Sequence, residues 1–226
     1  TQSSLRPDIT DVAGLWTTRS GGKTYFEAGT NRRPVRYAMK SFLCNDMEEI
    51  MDAAVPDYRI RRDVDRAPTG DSKIFQTSCK GCHSGLDGLA GAYTQFEYNN
   101  NQLNQKATGV EGKTTKNNTV FPSGHVPTNN TWINLWVTGN NARLGWPANA
   151  SAGTGANQLG KVFAGTKAFS SCMAKRVFKF VCMRDPGSAE QAAIQGLSSK
   201  FEANGTYNLR ELIEDAAILS QCMGSS

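Results

Sequence analysis

The most constraining feature of this 226-residue chain is the motif Cys79-Lys80-Gly81-Cys82-His83. C-x-x-C-H is the spacing of covalent haem attachment: two thiols bond the two vinyl groups of one porphyrin, and the next histidine faces the iron as proximal ligand. We therefore predict that Cys79 and Cys82 anchor one haem c and that His83 binds its iron. A structural zinc site would need two further ligands at similar spacing, and no second C-x-x-C or C-x-x-H pair occurs. A redox-active dithiol is the remaining alternative.

The four other cysteines, Cys44, Cys172, Cys182 and Cys222, are even in number. Covalent haem and persistent disulfides both belong to compartments outside the cytoplasm, so we predict an exported bacterial protein, periplasmic or extracellular. Cys172 and Cys182 lie on one predicted helix, about 15 Å apart, too far for a disulfide. An antiparallel last helix would bring Cys222 near Cys172, so we predict the pairs Cys172–Cys222 and Cys44–Cys182. Buried free thiols are the alternative.

Charge and hydropathy exclude several functional classes. The formal charge is +5, and the basic residues cluster only briefly, at 32–33, 59–62 and 175–179. Such a dispersed distribution of basic residues is not typical of nucleic-acid binding. It favours a basic face that docks an acidic redox partner. No apolar run approaches the roughly 20 residues of a membrane span, so no transmembrane segment is expected. The start, Thr1-Gln2-Ser3-Ser4, is typical of a processed mature terminus.

The hydrophobic pattern predicts a mainly α protein with long irregular loops. Helices are predicted over 36–54, 72–82, 132–137, 158–183 (in two pieces around Gly165), 189–203 and 209–223. A glycine-rich turn, 84–91, is expected after the motif, with Asp87 as its cap. Residues 99–131 and 138–157 are predicted to be loops. The resulting divisions are an N-terminal arm and helix (1–69), a haem region with a long distal loop (70–157) and C-terminal helices (158–226), packed as one unit.

Three segments resemble known families. Residues 70–83, a helix with an inward aromatic residue, Phe75, that runs into C-x-x-C-H, resemble class I cytochrome c. Residues 84–97 are similar to the planctomycete-type cytochrome c domains of secreted bacterial proteins, and 201–213 to a short C-terminal domain often found beside them. The resemblance extends over 70–98 and 165–222, about a third of the chain. It implies a mainly helical, haem-bearing, cytochrome c-like fold, and it implies no substrate.

The sixth iron ligand decides the haem chemistry. Besides His83 the chain has one histidine, His125, between Gly124 and Pro127 in a loop suited to presenting a side chain, and we predict that it ligates the iron. The alternatives are an exposed loop histidine, an open site, or a methionine sulfur. The methionines are Met39, Met47, Met51, Met173, Met183 and Met223.

Trp132 and Trp136 follow this loop at i and i+4, on one face of the predicted helix. We expect them to pack over the porphyrin or in the core. A carbohydrate-binding role for the tryptophans stays open as a weaker alternative.

The expected function is single-electron transfer through one haem, with a redox partner protein and a homo-oligomer or filament as possible assemblies. The first alternative is a five-coordinate haem enzyme or sensor for peroxide or small gases. The second is a binding module in which haem is structural. The sequence carries no convincing catalytic triad and no phosphate-binding loop.

Overall fold

The computed structural model describes residues 7–29, 31–56, 58, 73, 75–115 and 126–223, and the protein is mainly helical, as predicted. In chain order its helices are α1 (Arg19–Tyr25), α2 (Arg33–Phe42), α3 (Met47–Ile50), a π-helical turn (Phe75–Cys79), α4 (Lys80–Ala90), α5 (Gly155–Ala164), α6 (Lys167–Cys182), α7 (Gln191–Glu202) and α8 (Leu209–Ala217). Its strands are β1 (Phe96–Asn99), β2 (Gln102–Gln105), β3 (Thr131–Ile133) and β4 (Ala152–Thr154). β1 pairs with β2, and β3 with β4, both antiparallel. Within the described residues, no helix has the length and apolar character that a bilayer crossing requires.

The helix predicted over 36–54 is two helices with a turn between them. α2 ends at Phe42, and Cys44 adopts a left-handed conformation with φ of 53°. α3 then starts with a capping box: the Asp46 carboxylate accepts from its N-terminal backbone, and Glu49 Oε2 accepts from Asp46 N at 2.7 Å. An aspartate at the N-terminus of a helix accepts hydrogen bonds from backbone amides that have no partner within the helix. Asp46 is therefore more favourable at a helix start than in a helix interior. Local capping therefore overrides the continuous apolar pattern.

The motif helix is longer than predicted, because α4 continues through the expected glycine turn to Ala90. Its glycines recur at i, i+4 and i+7 and so lie on one face. A side chain on that face would collide with its neighbours. The glycines Gly81, Gly85 and Gly88 pack against Met51, Trp136 and Ile133, respectively. Glycine here permits close packing of the helix on the core and does not end it.

This packing predicts opposite effects for two glycine-to-alanine variants. Gly85→Ala places a methyl group against the Trp136 indole and should destabilise the fold by about 1–3 kcal/mol, as overpacked cores do. The matched control is Gly196→Ala in α7, where nothing lies within 4 Å; it should stabilise by about 0.5–1 kcal/mol, because alanine loses less backbone entropy. Urea unfolding of both variants measures the difference. Equal stabilisation by both would contradict the packed glycine face.

The predicted helix 132–137 is wrong. Trp132 lies in strand β3, and the chain turns after Ile133. Both Trp132 and Trp136 are buried, at 1% and 0% exposure. The i and i+4 spacing therefore does not place them on a helical face, and tertiary burial decides their conformation.

Part of the predicted loop 99–131 is also regular, since β1 and β2 form a hairpin. Its two turn residues, Asn100 and Asn101, have φ of 47° and 61°. Two adjacent left-handed residues are the signature of a tight hairpin turn, and asparagine tolerates this conformation.

Hydrophobic packing forms two cores joined by α6. The first contains the N-terminal helices, α4, the β-hairpins and α5. The second lies between α6, α7 and α8; its buried members are Ala174, Val177, Phe178, Ile194, Leu197, Phe201, Leu212 and Ala216. Phe169, near the start of α6, contacts both cores. The packing therefore changes within α6.

All four spare cysteines form disulfides, but the predicted pairing is wrong. The bonds are Cys44–Cys172, with Cα atoms 5.4 Å apart, and Cys182–Cys222, with Cα atoms 4.6 Å apart. Cys172 and Cys182 do lie on one helix, α6, and do not pair with each other, as predicted.

The error lies in the direction of the C-terminal chain. Lys167 at the start of α6 pairs with Glu202 at the end of α7, so these two helices are antiparallel. The chain then reverses again, and Arg184, just after α6, donates to the carbonyl of Gln221. Two reversals bring Cys222 to the end of α6, beside Cys182. Cys172 lies in the first half of α6, next to the turn after α2, where it bonds Cys44.

Candidate functional site

The two motif thiols and the imidazole lie on one side of the motif helix. Cys79, Cys82 and His83 occupy positions i, i+3 and i+4, which are neighbours on a helix surface, although Cys79 is the last residue of the π turn. All three are partly exposed. The glycine face of α4 is turned toward the core instead. The helix thus presents two sulfurs and an imidazole together on its accessible side.

Cys79 and Cys82 are free thiols, whereas the four other cysteines are paired. Burial, assisted by the negative charge of Glu48, raises the pKa of the Cys82 thiol. Its Sγ lies 3.8 Å from the Met47 carbonyl oxygen. Two free, accessible thiols beside an imidazole fit covalent haem, which takes both sulfurs and one nitrogen. Within the described part of the chain, no group of three or more His, Cys, Asp or Glu residues is arranged around a metal.

A buried carboxylate lies behind His83. Asp87 is one turn further along α4, its side chain is 0% exposed, and its Oδ1 lies 3.8 Å from His83 Nδ1. Arg32, just before α2, binds both oxygens: Nε donates to Oδ1, and Nη2 donates to Oδ2 at 2.6 Å. Burial raises the pKa of the Asp87 carboxyl, but the charge of Arg32, its hydrogen bonds and the adjacent His83 outweigh burial, so the net pKa is below its usual range. The site therefore holds an ionised carboxylate against the imidazole.

Tyr58 lies beside the same helix. Its backbone N–H donates to Ser84 Oγ at 3.2 Å. Burial, with a smaller effect from the negative charge of Asp87, raises the pKa of Tyr58 to about 12. The phenol therefore stays neutral near neutral pH and adds no charge to the site.

A basic cleft of about 510 Å³ opens next to the motif helix, one turn beyond Cys82. It is lined by Thr24, Arg32, Arg33, Arg36, Tyr37 and Leu86. Arg33 and Arg36 are exposed, and Arg36 forms an ion pair with Asp46 at 2.9 Å. The cleft therefore carries positive charge to the surface beside the predicted haem site.

The structure does not place all of the remaining predicted site residues beside the motif. His125 and the side chain of Phe75 lie outside the described residues, so their roles stay predictions. Trp132 lies in the core, and its contact with a porphyrin also stays a prediction. Trp136 touches the motif helix at Gly85, and the backbone of Trp132 lies against Gly91 at the end of that helix.

The methionine alternatives divide between the neighbourhood of the motif and the rest of the fold. The carbonyl oxygen of Met47, which is buried in the first core, lies 3.8 Å from Cys82 Sγ. Met39 is fully buried in the first core, and Met51 packs at Gly81 on the opposite side of α4. Met173 packs on the second core, and Met183 and Met223 are mostly exposed after α6 and α8.

The expectation that Asp87 caps a turn is wrong, because Asp87 lies inside α4. The i and i+4 spacing of His83 and Asp87 was visible in the sequence, but it places two residues together only if the helix continues. Arg32 had no comparable signal, since it is 55 positions away from its partner.

Comparison with protein-family models, with curated proteins and with solved structures finds no match to this chain.

Proposed function

We propose that this protein is an exported c-type cytochrome that carries single electrons through one covalently bound haem. The observation that carries the proposal is the arrangement of Cys79, Cys82 and His83: free thiols and an imidazole share the accessible side of a helix whose other side is packed on the core. Cys79 and Cys82 would hold the porphyrin, and His83 would bind the iron. A haem bound here supplies a one-electron couple.

Close packing restrains the motif helix. The glycine face places α4 against Trp136 and Ile133 without intervening side chains, so the motif helix has little room to shift. A rigid site suits electron transfer, because little has to rearrange when the charge changes.

The two disulfides support export. Disulfides persist in the periplasm and outside the cell and are rare in the reducing cytoplasm. They cross-link the first core to α6 and α6 to the C-terminal segment. Covalent haem and these cross-links are consistent with one oxidising compartment.

The basic cleft supports an acidic redox partner. Exposed Arg33 and Arg36 lie beside the motif helix, where a positive potential would steer a negatively charged protein toward the haem. The second kind of partner is another copy of this chain, in an oligomer or filament that passes electrons between haems.

The proposal predicts a six-coordinate haem with His125 as the sixth ligand. Purified wild-type protein should undergo reversible one-electron reduction and bind carbon monoxide poorly. His125→Ala removes the only other imidazole in the sequence, so the variant should bind carbon monoxide readily and show a changed visible spectrum. Optical titration of the reduced wild-type and variant proteins measures both effects.

The same titration separates the alternatives. Ready binding of carbon monoxide by the wild-type protein, together with turnover of peroxide, would favour the five-coordinate enzyme or sensor. A variant spectrum identical to that of the wild type, or a near-infrared band of methionine ligation in the wild type, would show that His125 is not the ligand. Retention of the protein on a glycan affinity gel would favour the binding module.

A further inference from the structure

The carboxylate of Asp87 is held in a fixed orientation toward the ring of His83. Its side chain is completely buried, and a buried carboxylate is costly unless it is paired. Arg32 supplies the pair through two hydrogen bonds, a geometry that fixes the plane of the carboxylate as well as its position. Oδ1, which accepts from Arg32 Nε, is also the oxygen nearest to the histidine.

The ring nitrogen that faces this carboxylate is Nδ1. The distance of 3.8 Å is within ion-pairing range and longer than a hydrogen bond. A negative charge at Nδ1 favours a proton there and leaves Nε2 with its lone pair for a metal. Histidines that bind metals usually donate their other ring N–H to a carboxylate or a carbonyl, which fixes the tautomer and makes the ligand more basic.

We propose that Asp87 is the positioning residue of the haem site, acting through His83 to fix its tautomer and to lower the reduction potential, with Arg32 holding the carboxylate in place. This inference rests on the proposed haem function. A negative charge behind the ligand stabilises the more positive, oxidised iron over the reduced iron. Arg32 binds both carboxylate oxygens, including the Oδ1 nearest the ring, so its positive charge opposes part of this effect.

The test compares reduction potentials of haem-loaded variants. In Asp87→Asn, the ratio of reduced to oxidised protein at a fixed solution potential should rise at least tenfold, which corresponds to about 59 mV for a one-electron couple. The double variant Arg32→Gln/Asp87→Asn removes both members of this ion pair. It tests the same inference if the single variant fails to fold, and it should shift the ratio in the same direction by less. The matched control is Glu190→Gln, because Glu190 is a buried carboxylate paired with Arg184 at 2.9 Å near the second core. It should lose stability and keep the wild-type potential.

The main result of a second readout comes from the wild-type protein, so it needs no variant that could misfold. In the oxidised wild-type protein, the Nδ1 proton of His83 should appear as a hyperfine-shifted NMR signal that exchanges slowly with solvent, and it should exchange faster in Asp87→Asn. Rapid exchange in the wild type, or a haem-loaded Asp87→Asn with a ratio within twofold of the wild type, would overturn the inference. A wild-type protein without covalent haem would instead overturn the proposed function, so the two failures are distinguishable.

Discussion

Cys79→Ala/Cys82→Ala should convert a haem that survives denaturation into one that acidic organic solvent extracts completely. In the wild type, two thioether bonds should keep the haem on the unfolded chain and add the mass of one haem. The double variant keeps only the bond from His83 to the iron, which breaks when the protein unfolds. The measurements are the mass of the denatured protein and the partition of haem absorbance between the aqueous and organic phases, after export from a bacterial host that attaches haem c.

The control for this experiment is Ser78→Ala, an exposed position next to the motif, which should retain the haem fully. A single Cys79→Ala or Cys82→Ala variant should keep one thioether and remain resistant to extraction. Complete extraction of haem from the wild type would exclude covalent attachment and return the motif to the zinc or dithiol alternatives.

Removal of the Cys44–Cys172 disulfide should be the largest single loss of stability. The bond closes a loop with a sequence separation of 128, for which loop-closure entropy gives about 5 kcal/mol. The loss is comparable with the whole stability of a marginal domain. Cys44→Ala/Cys172→Ala suits the test, because Cys172 is 1% exposed and alanine buries no unpaired hydroxyl. Urea unfolding of the oxidised proteins measures the loss.

The second disulfide is the control. Cys182–Cys222 spans a separation of 40, for which the same relation gives about 4 kcal/mol, and it cross-links only the C-terminal segment to α6. Cys182→Ala/Cys222→Ala should therefore cost less. A larger loss from this variant would contradict the expected order. Non-reducing peptide mapping of the wild type that recovers a peptide joining Cys172 to Cys222 would contradict the observed pairing.

Sequence reasoning succeeded where one local pattern had one physical meaning. The apolar spacing along 158–183, with a break at Gly165, corresponds closely to α5 and α6, and the pattern at 189–203 corresponds to α7. These helices follow from a 3.6-residue period and from breaks in it. The incompatibility of Cys172 with Cys182 likewise required only the rise of a helix.

Sequence reasoning failed where a local signal had two meanings. Glycines at 81, 85 and 88 fit a turn as well as a helix packed closely against other residues, and only contact with Trp136 and Ile133 decides between them. Trp132 and Trp136 fit a helical face in the sequence, yet they lie in a strand and in the turn after it. Burial of large aromatic side chains stabilises whichever backbone conformation places them in the core.

The sequence by itself predicts the chemistry of the motif, because Cys79, Cys82 and His83 are close along the chain and their spacing needs no distant partner. Only the tertiary structure decided that Asp87 lies behind His83 and that Arg32, 55 positions earlier, binds it. The disulfide partners were decided in the same way, because the two reversals after α6 bring Cys222 to Cys182. The physical reason is that contacts between distant residues depend on the directions in which helices pack, and no periodicity within a helix specifies those directions.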